Sequence, residues 1–111
     1  MGWDIVYYSH DIQQAILELP AGLQARYIHL TERMLEFGPN LGMPHTRPMG
    51  KGLFELRLKS KEGIARVFFC TLSEQLIMML LTFVKKSAKA PAKELKIARQ
   101  RMKEVQADAD A

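Results

Sequence analysis

The chain has one cysteine, Cys70, among its 111 residues. No internal disulfide can form from it, and a single thiol is no basis for a metal site. No apolar run is long enough to span a membrane; the longest, Leu76-Ile-Met-Met-Leu-Leu81, ends at Thr82. Zinc-ligand spacing, a phosphate-binding glycine loop and a nucleophile elbow are all missing, which removes the commonest metal, nucleotide and hydrolase classes. The start, Met1-Gly-Trp-Asp4, lacks the basic and apolar regions of a signal peptide, so a cytoplasmic location is expected. Internal repeats and long low-complexity segments are also absent.

What remains is an ordinary globular composition, 48% hydrophobic and 25% charged. Residues 1–106 read as one domain and 107–111 as a frayed tail. The charge is uneven. Residues 1–46 hold two basic side chains and five acidic ones, a net of −3; residues 47–111 hold fourteen and seven, a net of +7. A basic half on a small domain suits a polyanion or an acidic protein, although lysines that merely solvate a helix give the same count.

The pattern along the chain predicts an α+β arrangement. Trp3–Tyr8 has the aromatic and β-branched character of a strand. Ser9 can cap a helix with Ile12, Ala15, Ile16 and Leu19 at helical spacing. After Pro20-Ala-Gly22, a longer helix places Leu23, Tyr27, Leu30, Met34 and Phe37 on one stripe, stopped by Gly38-Pro39. Asn40–Gly52, with three glycines and two prolines, reads as a loop. Three meandering strands follow, with a turn at Ser73-Glu74-Gln75. Pro91 opens a last, basic helix whose narrow apolar stripe is Leu95, Ala98, Met102 and Val105. That helix either docks on its own sheet or borders a groove for a partner chain.

The hairpin in the middle is the most informative segment. In Leu53-Phe-Glu-Leu-Arg-Leu-Lys59, apolar and charged residues alternate with the period of a half-buried strand. Lys61, Glu62 and Gly63 form the turn, and Ile64–Cys70 returns. An even-length loop pairs odd positions on the first arm with even positions on the second, so Arg57, Lys59 and Arg66 share a face. Like charges across a sheet repel, and a shared anion would resolve the conflict. Guanidinium groups bind phosphate through a fixed fork of donors, and such a cluster would also stabilise the transition state of RNA cleavage by a 2′-hydroxyl. A solvated sheet face, with Glu55 paired to Arg57, explains the pattern about as well.

Other candidates carry less. Lys85 and Lys86 end the apolar strand Leu76–Val84, and one of them should point to the basic face; edge protection by lysine is the competing explanation. His10 belongs to a helix start, and His29 to the polar flank of the second helix. His45 can approach the hairpin as a general acid or base, but an ordinary loop histidine is the simpler reading. Cys70, among Phe68, Phe69 and Leu72, reads as packing.

The series Leu53-Phe-Glu-Leu-Arg57, Arg66-Val-Phe-Phe69, Leu81-Thr-Phe-Val-Lys-Lys86 and Ala90-Pro-Ala-Lys-Glu-Leu95 resembles the RelE/ParE toxin superfamily, and closely its HigB-like, phage-derived branch. The resemblance runs from Trp3 to about Met102. It implies a RelE-like fold, with a small, twisted, mainly antiparallel sheet, two N-terminal helices packed on it and a C-terminal helix. It also implies the toxin of a type II toxin–antitoxin pair, an endoribonuclease (mRNA interferase) that enters the ribosomal A site and cuts messenger RNA. Cleavage proceeds without metal or cofactor through 2′-hydroxyl attack and inhibits translation. The catalytic residues so implied are Arg57, Lys59, Arg66 and Lys86, with Lys51, Lys61 and Lys85 holding RNA. The implied partners are the ribosome, messenger RNA and an antitoxin with a helix-turn-helix DNA-binding domain, DNA being reached only through the antitoxin; no membrane is involved. Relatives that use a C-terminal tyrosine or histidines as acid or base have no counterpart here, because neither residue follows Phe83. The proton donor is therefore unassigned, Glu55 being a weak candidate. A non-enzymatic topoisomerase inhibitor of the ParE type and a decayed phage accessory protein are the alternatives.

Overall fold

A computed structural model describes residues 2–73, 75–89 and 91–110, with the side chains of 109 and 110 excepted. Glu74 of the expected turn, Ala90 of the quoted motif and Ala111 of the tail lie outside the described residues.

The sheet begins with β1 (Asp4–Tyr7) and is completed by β2 (Thr46–Gly50), β3 (Leu53–Ser60), β4 (Gly63–Leu72) and β5 (Leu76–Val84). Its spatial order is β1-β5-β4-β3-β2. Consecutive strands from β2 to β5 pair antiparallel, while β1 adds parallel to β5. The helical excursion of α1 (His10–Leu17) and α2 (Ala21–Phe37) intervenes between β1 and the meander, and α3 (Ala92–Asp110) follows it. This is the expected α+β architecture with one strand more than the sequence suggests.

Local chemistry sets the helix limits. The Ser9 hydroxyl accepts from the Ile12 amide, capping α1. Gly38, at φ 98°, ends α2 in a conformation that side chains rarely adopt, while its amide donates to the Met34 carbonyl. Pro91 stands just before α3, where its carbonyl accepts from the Leu95 amide. Helical backbone then continues through residues 107–110, where the sequence suggests fraying.

The added strand, β2, corrects the expectation of a loop over Asn40–Gly52. Pro48 and Gly50 hide its period, but as an edge strand it tolerates a proline that donates nothing to the ladder. Lys51 and Gly52 both have positive φ, 56° and 91°, the requirement of the tight hairpin turn that joins β2 to β3. The register shifts between Pro48 and Gly50, leaving Met49 as a bulge.

Each sheet face has its own core. The α1–α2 pair covers one face, where Ile16, Leu23, Leu30 and Met34 meet Leu56, Leu58, Val67, Phe69, Ile77 and Met79. On the other face α3 lays Ala98 and Met102 against Leu53, Phe68, Cys70 and Leu80. Burying one such large side chain stabilises the fold by roughly 1.5–3 kcal/mol. Polar contacts fix α3 in place. Arg99 donates to the carbonyls of Met49 and Gly50, Arg101 donates to that of Leu80, and the Tyr8 hydroxyl donates to Glu104. The last helix therefore docks on its own sheet, and two of its arginines are occupied there. Among the described residues no helix is long and apolar enough to cross a membrane.

Candidate functional site

The α3 helix covers only part of its sheet face, and the basic residues of the hairpin lie beyond its N-terminal end. Register shows how they are arranged. Arg57 pairs directly with Arg66, within the shared face that the sequence predicts, and Arg66 pairs with Phe83. On the other side of Arg57, its amide donates to the His45 carbonyl at 2.8 Å, which extends the β2–β3 register by one residue. His45, just before β2, thus joins Arg57 of β3, Arg66 of β4 and Phe83 of β5 in one row, on a common face. Arg47, Glu55 and Phe68 make the next row. Lys59 and Ile64 make a third, which Lys85 joins as its amide donates a hydrogen bond to the Ile64 carbonyl at 2.7 Å. Side chains directly opposite in such rows have Cβ atoms about 5 Å apart.

Two connected hollows follow from this arrangement. One, of about 400 Å³, is lined by Arg47, Glu55, Arg57, Arg66 and Lys85 and closed by Pro91, Ala92 and Leu95 at the start of α3. The other, of about 350 Å³, is lined by Arg26, Pro44, His45, Arg57, Lys59, Ile64 and Arg66. Arg57 and Arg66 belong to both. The start of a helix carries partial positive charge, so α3 adds to the field of the cations.

The repulsion between the paired arginines is partly resolved from within. Glu55 is buried, and its carboxylate lies 3.4 Å from Nη1 of Arg57 and 3.5 Å from Nε of Arg66. Arg66 is buried as well, and also donates to the Ala65 carbonyl. Burial pulls its guanidinium pKa below the ordinary value; the Glu55 charge opposes that shift and Arg57 adds to it. It nevertheless remains a cation, as arginine does in proteins. Glu55 can offset only one of the positive charges of Arg47, Arg57, Lys59, Arg66 and Lys85. The basin keeps a large positive excess with room for an anion.

Not every residue selected from sequence is there. Arg57, Lys59 and Arg66 are brought together. Lys85 joins them, whereas Lys86 lines a neighbouring depression with Lys89, Lys93 and Glu94. The reason is a second bulge. The β4–β5 register shifts between Phe68 and Phe69, inserting Leu80, so Lys85 rather than Lys86 falls in register with Ile64. Lys51, in the β2–β3 turn, lines a separate groove of about 590 Å³ along α3 with Leu95, Lys96 and Lys103. Lys61 is exposed in the β3–β4 turn, whose Glu62 accepts from the Gly22 amide near the start of α2.

The basin also contains residues that sequence reasoning missed or set aside, namely Arg26, Arg47 and His45. Arg47 and His45 lie in the segment whose glycines and prolines read as a loop. The dipeptide Lys51-Gly52, a good tight-turn pair, was the available signal for β2. The segment before β2 is held by Thr46, whose buried hydroxyl donates to the Asn40 side chain and accepts from the Gly42 amide. His45 is therefore presented by an ordered turn. Cys70 is buried under α3, with its thiol pushed up to about 11 by burial, and takes no part in the basin. Among the described residues no three His, Cys, Asp or Glu side chains are grouped to hold a metal ion.

Residues 14–103 match the family described as phage derived protein Gp49-like (DUF891). The chain belongs to this family. Four of the five strands, β2 to β5, fall within the matched range with α2 and every residue lining the two hollows, so the Gp49-like region carries the whole candidate site. No curated protein matches the chain.

Proposed function

We propose that this Gp49-like protein is the toxin of a type II toxin–antitoxin pair, related to the RelE superfamily and its HigB-like branch. On this reading it is a ribosome-dependent endoribonuclease acting on messenger RNA. The observation that carries the proposal is the basin of six cations, Arg57 and Arg66 with Arg26, Arg47, Lys59 and Lys85, around a single internal carboxylate. It is too rich in positive charge to serve as a structural ion pair, and its two guanidinium groups suit the equatorial oxygens of a phosphate.

The residues divide the work accordingly. Arg57 and Arg66 hold the scissile phosphate and stabilise the charge that grows as the 2′-oxygen attacks phosphorus. Lys59, on the same face of β3 as Arg57, serves as the acceptor of the 2′-hydroxyl proton. Lys85 takes the charge-stabilising role that the resemblance implies for the end of the last strand, and Arg47 holds the flanking backbone. An antitoxin with a helix-turn-helix DNA-binding domain would neutralise the protein.

The test is expression of the protein alone in bacteria, with transcript ends mapped during growth arrest. New internal ends in translated messages are expected. Arg57→Ala should abolish them while leaving the fold intact, since Arg57 is half-buried and its ion pair is partly solvated. Arrest with intact messages and damaged DNA would replace this reading with topoisomerase inhibition. Harmless expression would leave only an accessory role.

A further inference from the structure

Among the described residues nothing hydrogen-bonds to the ring of His45, which stands just before β2 among cations. The backbone of His45 makes the hydrogen bonds that hold this segment: its carbonyl accepts from Arg57 and its amide donates to Gly42. The residue lines the hollow that also holds Arg57, Lys59 and Arg66. Its register neighbour is Arg57, the more exposed of the two phosphate-binding candidates.

Cleavage by a 2′-hydroxyl needs two proton transfers. As the 2′-oxygen bonds to phosphorus, its proton passes to a base, Lys59 in the reading above. As the bond from phosphorus to the 5′-oxygen breaks, the electron pair stays on that oxygen, which must gain a proton. The arginines do not release protons under ordinary conditions. The Glu55 carboxylate is buried between two guanidinium groups and acts as their acceptor. His10 and His29 are exposed residues of the α1–α2 layer and do not line either hollow. Imidazole is the side-chain type suited to proton transfer near neutral pH, and His45 lines the hollow that holds Arg57 and Arg66.

We infer that His45 is the catalytic general acid of this site, protonating the departing 5′-oxygen of the cleaved RNA. The inference rests on the ribonuclease reading and names the group that this reading leaves open. It also sets the direction of the RNA, since the departing 5′-oxygen must lie toward β2 and the attacking 2′-oxygen toward Lys59.

The decisive experiment uses ribosomes programmed with messages whose A-site codon carries either the natural linkage or a sulfur in place of the bridging 5′-oxygen. A thiolate leaves without a proton, so the sulfur substrate needs no acid. In single-turnover cleavage, His45→Gln should lose roughly 10²–10⁴-fold on the natural linkage and stay within about threefold of the parent on the sulfur linkage. Cutting of the sulfur linkage by the variant also shows that it is folded. Arg57→Ala, which removes phosphate binding, should be slow on both. An equal loss for His45→Gln on the two substrates, or no loss on either, overturns the assignment. If the unsubstituted protein cuts neither message, the ribonuclease reading itself is wrong and this role falls with it.

Discussion

Replacing Glu55 by glutamine removes the internal counter-ion of the basin while keeping its shape, and the cost can be worked out from the contacts. The Arg57 contact, at 3.4 Å to a guanidinium 29% exposed, contributes less than about 1 kcal/mol because solvent screens it. The Arg66 contact is different. Both side chains are almost fully buried, 7% and 6% exposed, and removing one charge of a buried ion pair costs about 3–5 kcal/mol. The amide oxygen of glutamine recovers part of this, so the expected loss is about 2–3 kcal/mol. For a domain of this size that is a fall in melting temperature of about 8–12 °C. Urea denaturation of Glu55→Gln against the parent measures it, with Arg57→Met as the control expected to lose less than about 1 kcal/mol. The same variant should respond more strongly to anions. With the carboxylate gone, sulfate at fixed ionic strength should raise its midpoint more than the parent's, because stabilisation by binding to the folded state grows with the logarithm of one plus the ratio of free ligand to Kd, and a lower Kd enlarges it. A variant within about 0.5 kcal/mol of the parent, with an equal sulfate response, would refute the view of Glu55 as counter-ion of an anion site.

Three further outcomes follow from the same geometry. Lys85→Ala should weaken toxicity and RNA binding more than Lys86→Ala, and the reverse order in a growth assay would contradict the register at the end of β5. Arg99→Met should cost about 1–2 kcal/mol and speed amide exchange in α3, since Arg99 ties that helix to the carbonyls of Met49 and Gly50. Finally, Cys70 has a thiol pKa raised from 9.0 to about 11 by burial. The folded state keeps this proton while the unfolded chain loses it, so the stability contribution is complete below the unfolded value and is lost as pH rises through the folded one. Across that window the loss is about 1.4 kcal/mol per pH unit, and Cys70→Ala should show a correspondingly flatter decline in urea midpoint between pH 9 and 11.

Much of the molecule is legible in the chain because it is written in local chemistry and short periods. Ser9 caps α1, Gly38 stops α2, and the apolar stripe from Leu23 to Met34 faces the sheet as its helical spacing requires. The even-length turn at Lys61-Glu62 alone pairs Arg57 with Arg66, so the heart of the basic face is decided by counting. That face began as a problem of repulsion. The buried Glu55, two residues from Arg57 in sequence, is the part of the answer that alternation already places on the same side.

The rest of the basin depends on two single-residue bulges that no periodicity displays. Counting back through the tight turn at Lys51-Gly52 would pair Arg47 with Leu56 and turn His45 and Arg47 toward the α1–α2 layer. The bulge at Met49 shifts the register by one and brings both to the basic face. Counting forward from the Leu72–Leu76 pair would align Lys86 with the face of Arg66, and the extra residue at Leu80 substitutes Lys85. In a strand the side-chain period is two, so one inserted residue exchanges the faces of everything beyond it. Sequence by itself determined the three helices, four of the five strands and the hairpin that carries the two arginines. Only the tertiary pairing, by placing those bulges, decided which histidine, which arginine and which lysine stand beside them.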